Sequence, residues 1–197
     1  MTIPRQKNPP SVAPGESKIS EPTRHRSMQH SIANSDLPVE FINYLPLADA
    51  AIAYGAHGWP VFPCNPKTKA PNISGGFKKA TTDRDQIRKW WKSWPHASIG
   101  IAIPEGFAVL DIDPRSGGSV KNAQTILGTL PDTLTAFSGR NDGGRHIWFQ
   151  VPKGIRLPGK LGEGLDLKIG GKGYVIAPPS VHNATGKAYF WEVLIHD

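Results

Sequence analysis

A chain of 197 residues with 38% hydrophobic and 20% charged content has material for one sizeable core with a small appended lobe, which excludes a polypeptide of two full enzymes. The formal charge of +7 favours polyanionic partners without selecting nucleic acid among them. The single cysteine, Cys64, excludes an internal disulfide and a CxxC zinc knuckle. No run approaches the ~20 apolar residues of a membrane span, and the amino end lacks the apolar core of a secretory signal. A soluble cytoplasmic protein without a membrane partner is expected.

Residues 1–36 are rich in Pro, Ser and charge and show no apolar periodicity, so burial could not offset the entropy of ordering them. They are expected to form a disordered tail. The tail carries five Lys/Arg and three Asp/Glu, which leaves +5 of the +7 on residues 37–197. Between Leu37 and Gly58 the spacing of Leu45, Ala48, Ile52 and Ala56 predicts an amphipathic helix stopped by Gly55 or Gly58. Residues 59–62 follow as a short strand. Thr82 is expected to cap the next helix with Asp85 three residues on, and Ile87, Trp90, Trp91 and Trp94 to form its apolar face as far as Pro95. Their spacing cannot direct all three tryptophans alike, so one is expected at the edge of the core.

Beyond Pro95 the texture changes to short β-rich runs at 98–103, 107–112, 133–137, 146–151, 165–169, 174–177 and 188–193. One helix, about 119–127, separates the second run from the third. Strands that follow strands with few helices predict an α+β fold rather than a doubly wound one. Residues 37–197 are read as a single catalytic domain, with N-terminal lobe elements over about 37–105 and a sheet carrying the site over 106–197.

In FAVLDIDP, Asp111 and Asp113 stand two apart on a strand that alternates faces, so both carboxylates point the same way. Divalent cations between them would relieve their repulsion, and hard oxygen ligands suit Mg²⁺ or Mn²⁺. A solvated strand end entering a turn at Pro114 is the alternative. Asp166, between Leu165 and Leu167 and ahead of a Gly-rich turn, is poorly explained as a random surface residue. With it, three carboxylates on neighbouring strands would complete a two-metal site for phosphoryl transfer. In SGRNDGGRHIWFQ, Gly143 and Gly144 precede Arg145 and His146, a design that lets backbone N–H groups and cations approach a polyphosphate. Arg140, Arg145, His146 and Lys172 are the candidate nucleotide contacts. A structural role for His146 and plain solvation of Lys172 are the alternatives. No GxxxxGK[ST] spacing exists, so an ATP-driven motor is not encoded.

These segments, with GWPVFPCNPKTKAP, GGFKKATTD and WWKSWPHASIGIAI upstream and GLDLKIGGKGYVIAPPS downstream, resemble the bifunctional DNA primase-polymerase family of the archaeo-eukaryotic primase superfamily. The resemblance covers roughly residues 45–193. It implies an RRM-like catalytic sheet with an N-terminal α/β lobe, with Asp111, Asp113 and Asp166 as ligands of two Mg²⁺ or Mn²⁺ ions and His146 on the incoming triphosphate. The catalytic set is then Asp111, Asp113, Asp166 and His146. It also implies a single-stranded DNA template, dNTP or NTP substrates, and replication of a phage, plasmid or other mobile element in a prokaryotic or phage-infected cell. A replicative helicase, encoded separately or in a missing C-terminal region, is a further expected partner. Where some relatives carry Ser-x-His this chain reads Gly144-Arg145-His146, and its one cysteine cannot furnish the zinc-binding insertion of others. Template contacts are expected from Lys78, Lys79, Arg84, Arg88 and Arg156. A catalytically silent single-strand-binding module and a two-metal nuclease remain the rival readings.

Overall fold

Pro46 has no N–H to donate into a helix and biases the residue before it away from helical backbone, so the helix expected between Leu37 and Gly58 is interrupted. This computed structural model, which describes residues 39–193, has two helices there, α1 (Val39–Ile42) and α2 (Leu47–Ala56). The tail expected over 1–36 lies outside the described residues. Helix α3 (Arg84–Ser93) is capped by Asp83, not Thr82: the Asp83 carboxylate accepts from the N–H groups of Asp85 at 2.9 Å and Gln86 at 3.4 Å. A negative cap also meets the positive end of the helix favourably, an advantage the Thr82 hydroxyl lacks. On α3 Trp91 is buried and Trp90 is half-buried against the core, while Trp94, which caps the helix at its C-terminal end, is 38% exposed at the edge.

Strands β1 (Val61–Cys64), β2 (Ser98–Ala102), β3 (Phe107–Ile112), β4 (Thr135–Phe137), β5 (Arg145–Gln150), β6 (Lys160–Gly162), β7 (Leu165–Ile169), β8 (Tyr174–Ala177) and β9 (Phe190–Trp191) form two antiparallel sheets. The smaller runs β1-β2-β8 and the larger β6-β7-β3-β5-β4-β9. The mixed α+β class expected from the order of elements is what the chain adopts. Two features were not expected. Strand β6 is new, and β8 leaves the sheet of the second half to pair with β2, with Gly100 opposite Ile176. The β8 segment is apolar throughout, so periodicity could not say which sheet it joins.

Side chains alternate across the larger sheet. On one face Val109, Ala136, Trp148 and Trp191 join a core with α2, α3 and the smaller sheet. On the other, Leu110, Ile112, Ile147 and Leu165 pack with Ala123 of α4 (Val120–Leu127), whose first turn is capped by the Ser119 hydroxyl. Cys64 is buried in β1, and burial pushes its thiol up to about 12, which keeps it protonated and unreactive. Among the described residues no helix is long and apolar enough to cross a membrane.

The shared core is closed by Tyr54 of α2. Its hydroxyl accepts from Trp191 Nε1 at 2.6 Å and donates to the Pro178 carbonyl at 2.8 Å, so one buried oxygen ties a helix to the edge strand β9 and to the segment after β8. Tyr54→Phe would leave the Trp191 indole N–H and a buried carbonyl without partners, a loss of about 1–3 kcal/mol. Urea unfolding should show the midpoint fall with little change in its slope.

Candidate active site

The larger sheet sets the site by register. On its central strand β3, Asp111 lies directly opposite His146 of β5 and Asp166 of β7. Residues directly opposite in antiparallel strands share a face, so Asp166, Asp111 and His146 form one polar row. The row continues through Ala136 to Trp191, where the same face is buried. Asp113 lies just past the end of β3, where two glycine contacts fix its backbone. Its N–H donates to the Gly164 carbonyl at 2.8 Å and its carbonyl accepts from Gly118 at 3.0 Å. A Cβ on Gly118 would stand 2.1 Å from the Gly164 oxygen, closer than any side chain permits. The two glycines therefore hold the end of β3 against the turn that leads into Asp166.

Each acid of the first pair is met by cations. Lys168, two residues beyond Asp166 and so on the same face, places its Nζ against Asp111 Oδ2. His146 Nε2 approaches Asp111 Oδ1 at 3.6 Å, too far for a hydrogen bond. Burial opposes ionisation of Asp111, but the neighbouring His146 and Lys168 outweigh it and hold the carboxyl below the usual range. Of these two the ammonium carries the charge at pH 7, because burial pushes the His146 imidazole down to about 4 against the opposite pull of Asp111. Asp113 is held below its ordinary range by hydrogen bonds from Arg115, with Arg140 adding to them. Arg115 reaches Asp113 Oδ2 at 3.0 Å, and Arg140 spans Asp113 at 3.1 Å and Asp142 at 2.8 Å. Asp142 in turn accepts from the Gly144 N–H at 2.9 Å and organises the loop before β5.

The row opens on a cleft of about 420 Å³ between the two sheets, lined among others by Asp111, His146, Lys168, Lys172 and Tyr174. Lys172 is exposed at its mouth. The residues singled out by sequence thus divide. Asp111, Asp166 and His146 meet in one row, Asp113 and Arg140 pair with each other just past the end of β3, and Lys172 borders the cleft that Asp111 and His146 line. Arg145 does not join them: it alternates to the opposite face, where its guanidinium lies 4.5 Å from the Phe137 ring centre. Lys78, Lys79, Arg84, Arg88 and Arg156 are exposed and dispersed, Arg88 beside Asp85 at 3.8 Å and Arg156 bordering a separate hollow shared with Lys172. Lys168 and Arg115 were missed. Period-two alternation alone could have assigned Lys168 to the face of Asp166.

Three carboxylates carried by adjacent strands are a hard-oxygen donor set of the kind divalent cations take. In the present rotamers Lys168, Arg115 and Arg140 occupy oxygens of Asp111 and Asp113, and among the described residues no three His, Cys, Asp or Glu side chains converge as a metal cluster. Binding a cation here requires the carboxylates to exchange these partners.

The chain is thus a two-sheet α+β domain that carries an acid row beside a lysine-lined cleft. The model of the family described as bifunctional DNA primase/polymerase, N-terminal, matches residues 51–194, and the chain belongs to that family. No curated protein matches the chain.

The low value at His146 has a consequence for stability. Folded His146 refuses a proton that the unfolded chain accepts, so its contribution is fully present above 6.5 and is lost as pH falls from 6.5 toward 4. In chelator-treated protein this loss should amount to as much as about 3 kcal/mol. His146→Gln should flatten the unfolding free energy across that window, which denaturant titrations at several pH values would measure.

Proposed function

We propose that this chain is a template-directed DNA primase-polymerase, transferring nucleotidyl units from nucleoside triphosphates on single-stranded DNA. The observation that carries the reading is the in-register row Asp166–Asp111–His146, of which Asp111 and His146 line a cationic cleft, in a chain of the primase/polymerase family. The six-stranded sheet would be the RRM-like catalytic sheet of the resemblance. Family membership favours this over a silent binding module or a nuclease. Replication of a phage, plasmid or other mobile element, with a helicase as partner, is the setting we propose for it.

Asp111, Asp113 and Asp166 would hold Mg²⁺ or Mn²⁺, and the ions would stabilise the attacking and leaving oxygens of an in-line transfer. The protein's own groups prepare this. Lys168, Arg115 and Arg140 keep Asp111 and Asp113 ionised, so neither must expel a proton when a cation arrives. Lys168, once released from Asp111, is an ammonium already in the cleft for a phosphate oxygen. His146 is neutral at pH 7, and its Nε2, too far from Asp111 to bond it, can donate to a phosphate. Its Nδ1 is buried without a partner, so the ring is anchored by packing beside Tyr189 rather than by a second hydrogen bond.

The test is incubation with labelled nucleotides, Mg²⁺ or Mn²⁺, and single-stranded DNA with and without a primer. Wild-type protein should extend a primer. Asp111→Ala should lower incorporation by about 10²-fold or more while the circular dichroism spectrum is retained. Extension by Asp111→Ala at near wild-type rate would remove the assignment.

A further inference from the structure

The cleft has a second wall, supplied by the smaller sheet and the loop that follows β1. Residues 65–70 form a tight loop in which Asn65 exchanges backbone hydrogen bonds with Lys69 and Ala70 at 2.8 Å. The Asn65 side chain accepts from the N–H groups of Lys67 at 2.9 Å and Thr68 at 3.1 Å. The loop delivers Lys69 in a left-handed conformation, φ 62°, which a side chain with a Cβ adopts at a cost. Such strain persists where surrounding structure imposes it, and here the Tyr174 hydroxyl of β8 donates to the Lys69 carbonyl at 3.1 Å. The Lys69 ammonium lies 5.7 Å from the ring centre of buried Tyr189, the ring that stacks beside His146 at 6.2 Å.

Charge gives this placement its meaning. Lys69, Lys168 and Lys172 all line the cleft, and Asp111 is the one carboxylate among its lining residues. Lys168 is engaged by Asp111, while among the described residues no carboxylate pairs with Lys69 or Lys172. Like charges sharing one hollow raise each other's energy until an anion enters. A compact anion with several charges in series suits a hollow of this kind better than a monovalent one. We propose that Lys69 is a polyphosphate-binding residue, so that the phosphates of a nucleotide are gripped from both walls at once: by Lys69 on one, by Lys168 of β7 on the other, and by Lys172 in the turn that joins β7 to β8. The proposal rests on the nucleotide-using reading above. The same chemistry could be offered by the backbone of a nucleic acid, but Asp111 and His146, whose side chains are only 28% and 11% exposed, are recessed in the cleft, which favours the smaller ligand.

Inorganic tripolyphosphate is the probe, titrated calorimetrically into wild-type protein, Lys69→Met, Lys69→Arg and the exposed α4 control Lys121→Met. Lys69→Met should weaken binding about tenfold or more, the loss expected for a charge-assisted contact, with Lys69→Arg and Lys121→Met close to wild type. Single-stranded oligonucleotide affinity should change less than about twofold, because one of many phosphate contacts is concerned. In steady state the nucleotide KM should rise more than kcat falls. Wild-type protein supplies a measurement independent of folding: tripolyphosphate should protect Lys69 from acetylation, read by mass spectrometry. Unchanged tripolyphosphate affinity in Lys69→Met, absence of protection, or a selective loss of oligonucleotide binding would overturn the assignment. Tripolyphosphate binding through Lys69 in a wild-type protein that incorporates no nucleotide would instead sink the polymerase reading and uphold this site.

Discussion

A carboxylate in the middle of a sheet loses water on most sides, and it stays ionised only where positive charge replaces that water. Asp111 is in this position. Strands run on both sides of it, its row ends in buried Ala136 and Trp191, and the Lys168 ammonium offsets the desolvation. Much else in the domain follows from keeping that charge at the rim of the core. The larger sheet must present one polar row on a face otherwise committed to tryptophans, and the smaller sheet must cover the apolar part while leaving the row open.

The boundary between dry and wet parts of this face is abrupt. Trp59 and Trp148 pack at 4.5 Å between ring centres, in the same core that Tyr54 closes through its two hydrogen bonds. Two residues along the strands, on the same face, the row bears an acid and an imidazole. Low dielectric on one side strengthens every interaction on the other, so an anion entering the cleft as far as Lys168 meets a cation less screened than Lys172 at the mouth. An arrangement of this sort selects ligands by charge distribution before it selects them by shape.

Much of this was legible in the sequence, for identifiable reasons. The LDID spacing gave the face of Asp111, and the flanking leucines gave that of Asp166, because strand alternation is strictly periodic. The runs 107–112, 165–169 and 174–177 are strands with those same bounds. Pairing partners were not legible, since alternation says which way a side chain points and nothing about which strand lies beside it. Hence β8 was placed in the wrong sheet, and the cleft between sheets, with Lys69 on its far wall, could not be foreseen. Arg145 failed for the opposite reason: its neighbour His146 faces the row, and adjacent residues on a strand cannot both do so. The capping error at Thr82 came from two adjacent polar residues competing for one position, which the carboxylate of Asp83 wins.

The membership of β8 in the smaller sheet also bears on how the chain is made. Strand β2 has β1 on one side and β8 on the other, and residues 103–173 intervene before that second partner exists. Until the ribosome has passed Ala177, β2 carries an open edge with Ile99 and Ile101 unsatisfied on a short, uncharged strand. Open apolar edges are templates for pairing with other chains, and contacts this distant in sequence form slowly. Residues 174–177 are therefore the segment that covers this edge of β2 and moves the open edge of the smaller sheet out to β8.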